Sequence, residues 1–204
     1  MRSHTYGKGM FQVRVHGRRG QATLGAARIL AAAATMDGWH AWVASGVEPV
    51  HAGSPTVAYV GLHHEDGQLT AAAQYDAVIV QDPTLLYETD VLARLRPSGL
   101  ALLNGESTWQ QFGLADRVAH LAPARVLAVP AARLAPGHVW PGGANAALLG
   151  AFAAASGLLS PAAVAAAISA SVVARVAADH VVAARRAHEH VLAQLSRLAV
   201  AVPA

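Results

Sequence analysis

The residues best suited to chemistry in this chain sit in one short run. Val15-His16 is followed by Gly17-Arg18-Arg19-Gly20-Gln21, and an apolar, Ala-rich segment follows that. A strand, a Gly-bounded basic turn and a helix start together form the layout of an anion-binding loop. Backbone N–H groups at a helix start and two guanidinium groups suit a phosphate. The full dinucleotide pattern G-x-G-x-x-G is missing, because Arg19 stands where its second Gly would be, and no P-loop is present. On the loop alone, a tight strand–helix turn whose Gly residues serve geometry weighs more than a binding site.

Other clusters point to less. Asp179, His180, His188, Glu189 and His190 share one helical stretch. His188 and His190 point about 200° apart on a helix, and H-E-x-x-H is absent, so the stretch reads as a solvated face rather than a metal site. His63-His64-Glu65-Asp66 reads as a polar hairpin tip. Ser107 and Ser160 lack a G-x-S-x-G setting, so a hydrolase triad has no support. The chain has no Cys, which excludes a disulfide framework, a Cys-ligated zinc or iron–sulfur site and a cysteine nucleophile. Trp39, Trp42, Trp109 and Trp140 read as core or interface anchors.

The elements that must position these residues follow from patterning. Met10–His16 alternates as a strand, Gly17 to Gly20 turns, and Gln21–Met36 reads as a helix closed by Asp37-Gly38. Further strands are expected at Trp39–Ala44, Pro55–Leu62, Ala77–Gln81, Gly99–Asn104 and Val126–Pro130. Asp82-Pro83 reads as cap and first residue of a helix running to about Arg96, and Gln110–Leu121 as helix or loop. The C-terminal part reads as helices over Ala144–Ser156, Pro161–Ser169 and Val172–Leu198, with Ser160 capping the second. Alternation of strands and helices predicts an α/β fold, a Rossmann-like, mostly parallel sheet flanked by helices. Residues 1–9 read as an N-terminal extension and 10–204 as one domain.

Composition sets further bounds. Of the 204 residues only 13% are charged and 54% are hydrophobic; Ala accounts for 48, and 20 of those follow position 150. No charged residue occurs from Leu134 to Ala174. This stretch has the length of a membrane span, but Ala is a weak apolar residue, and Gly142, Gly143, Gly150, Gly157 and Pro161 interrupt it. A buried helix pair, covered by the sheet or by other chains, is the expected use. The basic residues are scattered, which argues against nucleic acid. The N-terminus lacks the apolar core of a secretory signal, so a cytoplasmic location is the default.

The order of motifs adds a resemblance. Val15-His16-Gly17-Arg18-Arg19-Gly20-Gln21 resembles the F-H-G-R-G-G-Q-G opening of the gamma subunit of 2-oxoacid:ferredoxin oxidoreductases. Tyr75–Pro83 (YDAVIVQDP) is similar to that family's Y-D-x-V-I-V-x-D-P run. Asn145–Leu159 (NAALLGAFAAASGLL) is similar to N-T-x-M-L-G-A-F-A-x-x-T-G-L-V, and Ser160–Ile168 to the helix after it. The likeness spans roughly residues 10–190. It implies a non-catalytic subunit of a complex that oxidatively decarboxylates a 2-oxoacid to an acyl-CoA. Alpha, beta and delta-type subunits are the implied partners. Thiamine diphosphate, Mg and iron–sulfur clusters lie on those partners, with ferredoxin or NAD as acceptor. Coenzyme A is placed at the subunit interface, with Gly17, Arg18, Arg19, Gly20, Gln21, Gly53, Pro55 and Asn145 as the implied binding residues. The competing reading is a stand-alone Rossmann-like nucleotide-binding protein.

Two departures bear on that site. Arg19 and Ala22 each replace a family Gly; if those positions need positive φ or close backbone approach, the loop must sit differently here. In Gly46–Val57 (GVEPVHAGSPTV), Gly53 and Pro55 keep a family G-x-P, but His51-Ala52 replaces an Arg pair. Arg19 would restore one positive charge nearby.

Overall fold

The computed structural model describes residues 10–46, 51–64, 73–136 and 142–201. The expected extension at 1–9, residues 47–50 of the 45–54 loop, the His64–Gly67 turn beyond His64, and Trp140 lie outside the described residues.

Six strands form one sheet: β1 Phe11–Arg18, β2 His40–Ser45, β3 Pro55–His63, β4 Tyr75–Val80, β5 Leu95–Asn104 and β6 Val126–Val129, in the order β2-β3-β1-β4-β5-β6. The β1–β4, β4–β5 and β5–β6 pairs are parallel, whereas β1–β3 and β2–β3 are antiparallel. The sheet is therefore mixed and mostly parallel. The continuously apolar Ala77–Val80 stretch of β4 and the Leu100–Leu103 stretch of β5 are buried on both faces, as such runs require.

One face is covered by α1 (Thr23–Met36), α4 (Gly142–Ser156), α5 (Pro161–Ser171) and α6 (Ala174–Ala201). Leu30, Leu148, Phe152 and Ile168 join Val13, Val15, Ile79 and Leu102 there in one buried cluster. The other face is covered along β4 and β5 by a smaller cluster around Leu85, Leu86, Val91, Trp109, Val118 and Leu121. These side chains come from a 3₁₀ turn at Pro83–Tyr87, the short helix α2 (Ala115–Val118) and irregular chain. A second short helix, α3 (Ala131–Leu134), follows β6.

Two expected elements differ, and a third resolves between its alternatives. β1 continues through Gly17 and Arg18, because both pair with β3, and the turn is confined to Arg19–Gln21. The helix expected from Pro83 to about Arg96 ends as a 3₁₀ turn at Tyr87. Arg94 takes φ 64 and Leu95 already begins β5, paired with Tyr75. Of Gln110–Leu121, only Ala115–Val118 is helical. The uncharged stretch serves as a core helix: α4 is buried almost along its length between the sheet and α6. Among the described residues no helix is long and apolar enough to cross a membrane. Ser160 caps α5 as expected, its hydroxyl accepting from Ala163 N at 3.1 Å and donating to Asp37 Oδ1 at 2.7 Å.

Candidate functional site

β1 and β4 are neighbours, yet the segments that follow them leave toward opposite faces of the sheet. α1 joins the larger core and Pro83–Tyr87 the smaller one. The ends of two such strands open a crevice at a topological switch point, where α/β sheets place their ligands. All eight residues named from the sequence gather around it.

Gly17 lies at the centre. A Cβ there would overlap Gln81 Oε1 and Thr23 Oγ1, so only Gly admits both side chains. Gly20 makes the turn at φ 103. The turn is closed twice: Gln21 N donates to Arg18 O at 2.9 Å, and Arg18 N donates to Gln21 Oε1 at 2.8 Å. Gln21 Nε2 then donates to Asp82 Oδ2 at 2.8 Å. Asn145, from α4, donates to Gln21 O at 2.7 Å and accepts from Gln81 Nε2 at 2.7 Å. Thr23 Oγ1 donates to Gln81 Oε1 at 2.8 Å, so the Thr56 hydroxyl, also 2.8 Å away, must donate to Thr23. Gly53 (φ 78) accepts from Arg18 through its carbonyl at 3.0 Å, and Pro55 pairs with Arg18 across β1–β3. The three strands and α4 are thus stitched to one loop by a continuous polar network.

Arg18 does not face an open anion site. Its guanidinium donates to Thr84 Oγ1 at 2.6 and 3.0 Å and to Glu88 Oε1 at 2.5 Å, and lies 3.3 Å from Asp82 Oδ2. The hydrogen bond to Glu88 raises the Arg18 pKa and lowers that of Glu88. Burial works against the Asp82 charge, but hydrogen bonds from Thr84 and Gln21, with the Arg18 charge, hold its carboxyl below its usual range. Two carboxylates thus neutralise this one cation, and Arg18 positions the loop. Asp82, Thr84 and Glu88 as Arg18 partners, and Thr23, Thr56 and Gln81 as a network, are not apparent from the sequence. The only signal was the Asp82-Pro83-Thr84 cap, in which Asp82 Oδ1 accepts from Thr84 N at 3.0 Å.

The loop's two departures from the family pattern come out differently. Arg19 keeps negative φ, so the exchange of Gly for Arg costs the backbone nothing. Ala22 is held at φ 54, ψ 41, a left-handed conformation that Gly adopts without penalty. Ala22 also gives α1 no side-chain cap, so the first-turn N–H groups of Thr23, Leu24 and Gly25 lack helix acceptors. Thr23, Leu24 and Gly25 line a cleft of about 230 Å³ together with Arg18, Arg19, Ser45, Gly46 and Thr56. N–H groups without helix acceptors at a helix start, the Ser45 hydroxyl and Arg19 make a surface that suits an anion.

On the far face of β1, His16 is 4% exposed and its Nε2 accepts from Arg14 at 2.8 Å, which leaves the ring proton on Nδ1. Burial, reinforced by the Arg14 charge, lowers the His16 pKa to about 3. The cluster on α6 needs a correction. His180 is buried against Gly142 rather than solvated, because α6 turns that side onto the start of α4. Among the described residues no three His, Asp or Glu side chains gather where they could share an ion.

Comparison with known proteins places this arrangement. The family model described as "Pyruvate ferredoxin/flavodoxin oxidoreductase" matches residues 12–190. Pyruvate synthase subunit PorC of Methanosarcina barkeri is 34% identical over 151 residues, covering 72% of this chain and 79% of the relative. The pyruvate oxidoreductase subunit PORC of Thermotoga maritima has the same fold, with a TM-score of 0.69 at 23% identity over 89% of this chain and 97% of that one. A 2-oxoglutarate:ferredoxin oxidoreductase from Magnetococcus marinus, solved with 2-oxoglutarate, coenzyme A and succinyl-CoA bound, contains a similar fold. Its TM-score is 0.61 at 16% identity, covering 97% of this chain and 32% of that one. This chain belongs to the pyruvate ferredoxin/flavodoxin oxidoreductase family, as a gamma-type subunit.

Proposed function

We propose that this chain serves a complex that oxidatively decarboxylates a 2-oxoacid to an acyl-CoA, and that its β1–α1 cleft receives a phosphate of coenzyme A. In this reading thiamine diphosphate, Mg and the iron–sulfur clusters belong to alpha, beta and delta-type partners, which also choose the 2-oxoacid and pass electrons to ferredoxin or NAD. This chain supplies no catalytic group. It supplies one wall of the acceptor pocket and holds that wall in place. Residues 10–204 act as one domain for this purpose.

The observation that carries the proposal is the uncapped start of α1 opening on the cleft beside Arg19 and Thr56. A phosphate there would accept from the first-turn N–H groups, and Arg19 would add a charge-assisted contact. Gly17, Gly20, Gln21, Gly53, Pro55 and Asn145 act by shaping the loop, and Arg18 by anchoring it. The test is a coenzyme A titration of the assembled complex. Arg19→Ala is expected to raise the KM for coenzyme A several-fold, about 1–2 kcal/mol of binding, with kcat nearly unchanged. Arg18→Ala is expected to loosen the loop and lower the stability of the isolated chain as well. Unaltered coenzyme A affinity in Arg19→Ala would remove the cleft from the acceptor pocket.

A further inference from the structure

Away from that cleft, α4, α5 and α6 enclose a second hollow, a groove of about 240 Å³. Gly150 and Ala153 of α4 form its floor, Ala162 and Ala165 of α5 one wall, and Val181 of α6 the other, with Arg185 at the rim. The groove exists because the small-residue helices α4 and α5 meet α6 without filling the space between them. Gly150 lies directly on the backbone of Ala184, so no side chain from α4 projects between α5 and α6 at this level. Apart from Arg185 and His188 the lining is apolar, and the space suits one large apolar side chain.

Charge on α6 is net basic, with Glu189 one turn from Arg185. α4 and α5 carry no charged residue. α6 carries Arg175, Arg185, Arg186 and Arg197 against Asp179 and Glu189. None of these four arginines makes an ion pair among the described residues. Val173, just before α6, and Leu192, on it, add exposed apolar surface, at 66% and 46% exposure. An apolar slot rimmed by an unpaired guanidinium matches the anchor-and-rim plan of a protein interface: a buried apolar anchor at the centre, charge complementarity at the edge.

We propose that this groove docks an acidic amphipathic segment of another subunit of the same complex, which inserts one large apolar side chain and sets a carboxylate against Arg185. The inference rests on the gamma-subunit reading. The experiment is co-expression of the full chain with its partner subunits, followed by size exclusion and native mass measurement at two salt concentrations. Ala162→Trp fills the groove from an exposed position, and Arg185→Glu reverses the rim charge. Both are expected to weaken retention of this subunit at least about tenfold, while the melting temperature of the isolated chain stays unchanged. Arg185→Lys is expected to retain it, and wild-type retention to fall as salt rises. Retention equal to wild type in both disruptive variants overturns the docking proposal and leaves the gamma-subunit reading intact. A wild-type chain that joins no partner fails the gamma-subunit reading itself. Self-association of the isolated chain, abolished by either variant, assigns the groove to a second copy and also overturns the proposal.

Discussion

Ala22 carries a conformational cost that the site's geometry imposes. The left-handed backbone at this position disfavours any residue with a Cβ by about 1–2 kcal/mol, and its side chain is exposed, so no packing compensates. Gly would relieve the strain but lose more chain entropy on folding. Ala22→Gly is therefore expected to stabilise the isolated chain by about 0.5–1 kcal/mol, read as a higher urea midpoint with an unchanged m-value. His16 gives a second prediction at this scale. Its folded pKa of about 3 lies below the ordinary value of 6.5, so the unfolded chain takes up a proton that the folded chain refuses. Stability is then complete above pH 6.5 and declines as pH falls toward 3. The expected loss is about 2 kcal/mol between pH 7 and pH 5. His180, His188 and His190 are also lowered by burial and add to the slope. Comparing wild type with His16→Gln isolates the His16 share: an equally steep pH dependence in the variant would mean that His16 is not the source.

At the scale of elements, the crossing of α4 and α6 depends on Gly150. A Cβ there would fall inside the van der Waals shell of the Ala184 backbone, which cannot swing aside as a side chain can. Gly150→Ala is expected to cost about 3 kcal/mol, measured by chemical denaturation, although Ala is the better helix former. That contact was invisible in the sequence, where Gly150 read only as a break in an apolar run. What the sequence did disclose was local. The AVIVQ and GLALLN runs marked β4 and β5 because strands covered on both faces need unbroken apolar residues, and Ser160-Pro161 marked the start of α5 by its cap. The helix expected after Pro83 failed because Leu85, Leu86, Val91 and Leu92 fit helical spacing while burying themselves from a 3₁₀ turn and loose coil. The candidate site was legible as a loop, to which the family resemblance added Gly53, Pro55 and Asn145. Its partners Asp82, Thr84 and Glu88 lie 61 to 70 residues away, and only the strand order brings them there.

For the whole molecule, the two faces of the sheet differ in how firmly they are closed. Four helices seal the larger core, whereas the smaller one is capped by a 3₁₀ turn, one four-residue helix and irregular chain around the fully buried Trp109. Segments with few regular hydrogen bonds open at lower free energy than helices packed in a core. The smaller cap should therefore open as a unit while the larger core stays closed. The candidate site spans both halves: Arg18 is tied to Thr84 and Glu88 on the cap side, and Gln21 to Asn145 on the helix side. Opening of the cap would release Arg18 and loosen the cleft wall without unfolding α1. Hydrogen exchange tests this on the isolated chain. Amides at 84–92 and 109–121 are expected to exchange well before those at 146–152 in α4. Trp109→Ala, which removes a buried ring and its 3.2 Å hydrogen bond to Leu127 O, is expected to speed exchange in the cap far more than in α4. Equal acceleration in both regions would show a single cooperative unit, and motion of the cleft wall would then require global unfolding.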